Sequence, residues 1–383
     1  MRKICFVTGT RAEYGLLSRL MRLVKEDKDL RLQVIATNMH LMPEYGETYK
    51  EIEKDGFTID KKVYMHKPSD DAYGIISSMA EEMQGMNNAL SELKPDILVL
   101  LGDRYEILVA AQVALIYRIP IAHIHGGEVT EGAFDDAIRH SVTKMSSLHF
   151  TSCEEYRHRV IQMGEQPSRV FDVGSLGVEN IKAVPLMTKD ELEASLDFKI
   201  DKQTILVTYH PVTLGGDPAK DIREFLDALD QFKDLKVIFT MPNSDTGRDA
   251  IALAVENYVE KHSNSAKAYT SLGLKRYLST LQFVKAAVGN SSSGIIEVPS
   301  FGIPTLNIGD RQKGRLASKS VVNCGTSKDE VIAGLKLCLS EEMQKAAKTY
   351  ENPYAKPDTA NLIYQELKNV ELAGLNLKTF YDL

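Results

Sequence analysis

Residues 287–312 read AVGNSSSGIIEVPSFGIPTLNIGDRQ, and the rest of the chain is organised around them. The apolar run 286–288 has the length and character of a buried strand. Gly289 and Asn290 turn the chain, and Ser291, Ser292 and Ser293 present hydroxyls and backbone N–H groups before Gly294. Ile295, Ile296 and Val298 predict a short helix stopped by Pro299 and Gly302, with a second strand over 303–308. A strand running into serines at a helix start makes an anion site, because free N–H groups and about half a unit of dipole charge favour a phosphate. Glu297, one turn in, would repel that phosphate and suits a ribose, since a carboxylate accepts from two vicinal hydroxyls. Phosphate plus ribose means a nucleotide. Taken alone, the serines fit an N-cap over a core helix about as well.

A chain of 383 residues is too long for one ordinary core, so two domains are expected. With Lys plus Arg at 46 against Asp plus Glu at 53, the net charge is −7. That balance argues against a nucleic-acid or membrane-surface partner, because no general basic field exists to hold one. An anionic ligand would have to be gripped by local arginines and helix ends. Cys5, Cys153, Cys324 and Cys338 show no CxxC or metal-ligand spacing and read as free thiols, with no metal expected. The opening MRKICFVTGTRAEYG has too short an apolar run for a signal peptide or a membrane span, and a cytoplasmic location is expected.

From the N-terminus, strand and helix patterns alternate: strands over 3–8, 32–37, 96–101, 119–124 and 148–152, helices over 16–24, 43–54, 71–93, 105–116 and 136–145. Met79, Met83 and Met86 recur at helical spacing and read as core or interface. A polar stretch near 180–203 breaks the pattern. A second ladder then runs through strands 205–209, 235–240 and 266–269 and helices 221–232, 249–261 and 275–281 to the serine stretch, followed by a helix over 328–339. Such a ladder predicts an α/β fold of two doubly wound, Rossmann-like domains, 1–180 and 181–354, with the terminal segment 355–383 packing back on the first. A cleft between them, faced by the C-terminal strand ends, is the expected ligand site. Neither half carries GxGxxG after a strand or a Walker loop, which lowers the odds of a dehydrogenase or an ATPase.

Polar residues at strand ends therefore carry the chemistry. Arg11 closes the first βα turn, where a guanidinium can clamp a phosphate bidentately. Asp103 and Arg104 follow the third strand; Asp103 with Glu106 also spells a capping box. His123 and His125 end the next strand, on one face by alternation, and Gly126-Gly127 lets backbone pass close to a ligand. Asp135 and Asp136 start a helix, with Arg139 one turn on, and His210 ends the first strand of the second half.

The segments TGTRAEYG, LGDRYE, HIHGGE, DDAIRHSVTKMS, HPVT, PNSDTG and GNSSSGIIEVPS followed by GDRQKGR resemble the hydrolysing UDP-N-acetylglucosamine 2-epimerases of sialic acid biosynthesis, in order over nearly the whole chain. Non-hydrolysing epimerases, which share the two-domain GT-B fold, resemble it less. The resemblance implies that UDP-N-acetylglucosamine and water give UDP and N-acetylmannosamine. UDP leaves in an anti elimination with loss of the C2 proton, and water then adds to C1 of the 2-acetamidoglucal while a proton returns to the other face of C2. No cofactor is implied, and a homodimer or homotetramer is. Ser291, Ser292 and Ser293 match phosphate-binding serines, Glu297 the ribose ligand, and Arg11 and Arg311 basic residues near the diphosphate, with Arg104 close by. Asp103 and Asp135 match catalytic carboxylates, Asp136 is a substitute, Arg139 a positioning candidate, and His210 the second-domain histidine facing sugar and phosphate. Leu272 and Tyr277 fall in the segment that lines the base. Many members read His-Ile-Glu-Gly-Gly-Glu where this chain has His125 in place of the first glutamate, so that proton-transfer role passes to His125, or to Glu128 or Glu131. Rivals are a 2,4-diacetamido-2,4,6-trideoxy sugar nucleotide as substrate, a GT-B glycosyltransferase, and a silent sugar-nucleotide binder.

Overall fold

Two parallel sheets with helices on their faces account for the alternating pattern. The computed structural model describes residues 1–66, 69, 71–131, 133–212, 217–242 and 247–383. Gly132, Thr213 of the HPVT segment and 243–246 of the PNSDTG segment lie outside the described residues. The chain divides into one compact unit of 1–128, 135–180 and 356–383 and another of 129–134 and 181–355.

Among the described residues, the first sheet holds β1 (Arg2–Thr8), β2 (Leu30–Thr37), β3 (Lys61–Val63), β4 (Ile97–Leu101), β5 (Ile121–Ile124), β6 (Leu148–Thr151) and β7 (Val170–Asp172). Their spatial order is β3-β2-β1-β4-β5-β6-β7, so the winding direction reverses between β1 and β4. Ile97, Val99 and Leu101 enter one core and Leu98 and Leu100 the other, as a strand buried on both faces requires. The helices are α1 (Arg11–Glu26), α2 (Tyr49–Lys54), α3 (Ala72–Leu93), α4 (Tyr105–Ile116), α5 (Asp135–Met145), α6 (Glu154–Gln162) and α7 (Leu176–Ala183). The stretch predicted as one helix over 43–54 is instead a set of tight turns and the short α2, broken where Gly46 takes a left-handed φ of 84°. Of the methionine stripe, Met86 is fully buried and Met83 is exposed.

The polar stretch near 180–203 is not a loop: it carries the end of α7 and α8 (Lys189–Leu196), started by a capping box between Thr188 and Glu191 and anchored by buried Leu192 and Leu196. In the second sheet, β8 (Thr204–Thr208), β9 (Lys236–Thr240), β10 (Ala266–Tyr269), β11 (Ala286–Gly289), β12 (Thr305–Ile308) and β13 (Val321–Cys324) lie in the order β10-β9-β8-β11-β12-β13. The reversal falls between β8 and β11. Helices α9 (Pro218–Leu229), α10 (Arg248–Lys261), α11 (Gly273–Leu281), α12 (Ser293–Ile296), α13 (Lys328–Leu339) and α14 (Glu341–Ala346) complete the unit.

The last helix, α15 (Thr359–Asn369), buries Ala360, Ile363 and Leu367 in the first unit's core beside Leu17, Leu20 and Val24 of α1. Arg2 closes its C-terminal end, donating to the carbonyls of Leu367, Lys368 and Val370 at 2.6–2.7 Å. Among the described residues no helix is long and apolar enough to cross a membrane.

Candidate functional site

In a doubly wound sheet, the two strands at the reversal send their following loops apart and leave an open crevice at their C-terminal ends. In the first unit that crevice receives the loops after β1 and β4, hence Arg11, Asp103 and Arg104. In the second it receives those after β8 and β11, hence His210 and the serines.

The serine stretch forms as a strand, a turn and a helix, with one correction. The helix α12 is a single turn, followed by a 3-10 turn over Val298–Phe301. One turn aligns too few peptides for the expected macrodipole. Gly294 and Ile295 also spend their N–H groups inside the turn, on Ser291 and Ser292. What the turn presents instead is hydroxyls, on three half-buried serines. Tyr277 reaches from α11 to place its phenol 2.6 Å from the Ser293 hydroxyl. Burial pushes that phenol above its usual range, with the Glu297 charge acting the same way and the Ser293 hydrogen bond opposing. Glu297 follows directly on α12, its N–H donating to Ser293 at 3.0 Å. Arg311 comes from the loop after β12 and donates to the Asn290 carbonyl at 3.4 Å. Leu272 is buried in the hydrophobic core.

In the first unit, Asp103 does not cap α4. That helix starts at Tyr105 with Arg104 at the cap position and no side-chain cap, and Glu106 turns to accept from Arg104 Nε at 2.7 Å. Asp103 is instead gripped by Arg139 of α5, which is 1% exposed and also donates to the Glu128 carbonyl at 2.8 Å and toward Asp136 at 3.4 Å. Asp135 is buried at the start of α5, while Asp136 faces His140 at 3.5 Å.

The two histidines do not form a pair on one face. His123 lies inside β5, fully buried, with Nε2 2.8 Å from the Gly102 carbonyl and Nδ1 3.1 Å from the Thr143 hydroxyl. A carbonyl only accepts, so Nε2 carries the proton, and burial lowers the ring's pKa to about 3. It holds the loop that bears Asp103. His125 lies past the strand end with φ at +67°, where alternation no longer applies, and directs Nδ1 to the Glu128 carboxylate at 3.6 Å. Glu128 is buried and accepts from Ser152 at 2.8 Å. Arg11 is the first residue of α1, and its fork holds the Glu51 carboxylate. A phosphate there would have to displace Glu51.

Beneath the first βα turn lie Glu13 and Glu82, which strand-end reasoning missed, and Glu106, which it read only as a capping partner of Asp103. Glu13 completes the α1 capping box, accepting from Gly9 at 2.8 Å and Thr10 at 3.2 Å. The pattern Thr10-x-x-Glu13 carries that signal in the sequence. Glu106 presses on Gly9, where a Cβ would sit 2.5 Å from its oxygen, and Glu82 of α3 is fully buried. Burial and then the Glu106 charge push Glu13 up to about 8, against Arg104 and the two N–H donors, and Glu82 well above the carboxylate range. Burial thus favours the protonated form of both Glu13 and Glu82. Among the described residues no cluster of three or more His, Cys, Asp or Glu is arranged to hold a metal ion.

Known proteins resemble this chain in sequence and fold. The profile of the UDP-N-acetylglucosamine 2-epimerase family matches residues 22–368. A Campylobacter jejuni protein named GDP/UDP-N,N'-diacetylbacillosamine 2-epimerase (hydrolyzing) is 45% identical over all of this chain and 99% of its own length. The Escherichia coli polysialic acid biosynthesis protein P7 is 38% identical over all of this chain and 98% of its own. Two solved structures share the fold at 18% identity: the UDP co-structure of S. aureus MnaA, with a TM-score of 0.81 over all of both chains, and the Neisseria meningitidis UDP-GlcNAc 2-epimerase bound to UDP-GlcNAc, with 0.80 over 95% of this chain and 99% of that one. The two parallel sheets are thus those of the GT-B-like epimerase fold, and the chain belongs to the UDP-N-acetylglucosamine 2-epimerase family.

Proposed function

We propose that the chain is a hydrolysing 2-epimerase of a UDP-2-acetamido sugar. The bond from C1 to the diphosphate oxygen breaks as the C2 proton is removed, giving a glycal and UDP. Water then delivers hydroxide to C1 and a proton returns to the opposite face of C2. The second unit's serines, with Tyr277, Glu297 and Arg311, bind the nucleotide, and His210 faces the sugar and phosphate. The first unit's Asp103, Asp135 and Asp136, with His125 and Glu128, handle the protons, each such transfer contributing about 10²- to 10⁴-fold. Arg104, and Arg11 once the phosphate displaces Glu51, offset the diphosphate charge. Support comes chiefly from the Asp103–Arg139 pair at the strand reversal, because a carboxylate gripped by a buried guanidinium is held in one orientation at the strand end.

For the sugar, the 45% identical relative is named for a diacetylated bacillosamine, and that ring is our first substrate; UDP-N-acetylglucosamine, on the way to sialic acid, is the second. Both are compatible with a cytoplasmic homodimer or homotetramer. Incubation with each sugar as its UDP and GDP ester in deuterated water, followed by mass spectrometry, tests the reading. A released sugar carrying one deuterium at inverted C2 supports it. Release without deuterium would mean transferase or simple hydrolase chemistry.

A further inference from the structure

Asn290 takes part in no step of the proposed reaction, yet it is fully buried at the hinge of the serine turn. The last paired residues of β11 and β8 are Gly289 and Thr208, and beyond them the strands would ordinarily part. Here they stay tied. The Asn290 N–H donates to the Thr208 carbonyl at 3.1 Å. Its side-chain oxygen accepts from the His210 N–H at 2.7 Å, and its amide nitrogen donates to the His210 carbonyl at 2.8 Å. One amide thus satisfies both backbone groups of His210, in the manner of one further rung of a sheet. The Asn290 carbonyl in turn accepts from Gln312 at 2.9 Å, and Arg311 donates to it at 3.4 Å. Gln312 is itself buried.

We infer that Asn290 is a positioning residue that sets the His210 ring against the serine turn. Asparagine is required because the clamp needs one acceptor and one donor on a single short side chain. Aspartate keeps the acceptor but sets a second oxygen against the His210 carbonyl; alanine removes both hydrogen bonds. This rests on the reading of His210 as a residue facing sugar and phosphate.

The test compares Asn290→Ala, Asn290→Asp, His210→Ala and the Asn290→Ala/His210→Ala double variant. Misplacing a positioned group by about 1 Å costs about 10²-fold, so Asn290→Ala should lower kcat by about that factor, with UDP affinity by calorimetry changed less than about threefold. The double variant should be no slower than His210→Ala, because a residue acting through His210 has nothing left to act on. Losses that multiply overturn the inference. A second readout separates it from the functional reading: in chain labelled with ¹⁵N-histidine, Asn290→Asp should shift the pH titration of His210 and leave the other eight of the nine histidines in place. An unmoved His210 titration overturns the clamp. Wild-type chain that turns over none of the sugar nucleotides refutes the epimerase reading alone, and the titration still decides the clamp. If Asn290→Ala does not fold, Asn290→Asp carries both readouts.

Discussion

Arg139 reaches from α5 to the carboxylate of Asp103, two residues beyond the end of β4, and holds the Glu128 carbonyl with the same guanidinium. Asp103 keeps about a fifth of its side chain exposed while Arg139 is sealed. The pair therefore fixes a charge at a strand end while leaving one side of it accessible.

Asp103→Asn preserves shape and removes that charge. Turnover should fall by at least about 10²-fold, the lower end for a lost acid–base group, while UDP affinity stays within about threefold. Sugar release and calorimetry measure the two. Loss of both to the same extent would remove the proton-transfer role.

Arg139→Leu takes the guanidinium away from the buried Glu128 carbonyl and the partly exposed Asp103 carboxylate. Leaving such groups unmatched costs about 2–4 kcal/mol. Urea denaturation should show that loss, and a smaller one for Asp103→Asn, since the partner it leaves can still donate to an amide oxygen.

The glutamates under the first turn impose a pH dependence. Folded Glu13 titrates near 8 against an ordinary 4.5, so the folded chain keeps a proton that the unfolded chain releases. Its contribution is full below about pH 4.5 and is lost as pH rises through about 8. His123 acts oppositely: with a folded value near 3 against 6.5, its contribution is full above pH 6.5 and is lost as pH falls toward 3. Because buried His123, His40 and His149 pull the other way below pH 6.5, the readout is a difference: between pH 5.5 and 8.5 the urea midpoint of the wild type should lose more, or gain less, than that of Glu13→Gln. An unchanged slope in the variant would place the proton elsewhere.

Glu297→Gln bears on the ribose. A site built to pair with hydroxyls discriminates against a ligand lacking one, because its own polar atoms are then left unmatched. The wild type should bind UDP more tightly than 2′-deoxy-UDP, and the variant should bind the two alike. Undiminished discrimination would exclude Glu297 as the ribose ligand.

Gly289→Ala probes the turn. Gly289 sits at φ +131°, and a Cβ there would lie 2.0 Å from the Thr208 carbonyl oxygen. Both the backbone conformation and the close approach require glycine. A loss of about 3 kcal/mol or more is expected, read as a fall in melting temperature, together with weaker UDP binding.

Periodicity alone determined the two ladders of strands and helices and placed the candidate residues at strand ends, because burial on one or both faces writes itself into neighbouring positions. The helix over 328–339 and the strand at 266–269 were legible to the residue for that reason. The same local signal made the Asp103–Glu106 spacing read as a cap, and it carried alternation past Ile124 to His125, where the backbone turns left-handed. Strand order, and therefore which loops meet, is a property of the whole sheet. Only the tertiary structure could bring Asn290 to His210 across 80 residues, Arg139 to Asp103 across 36, and three buried glutamates within reach of one another's charge. Those pairings depend on side chains from separate segments sharing one buried space, and nothing within either segment records its partner.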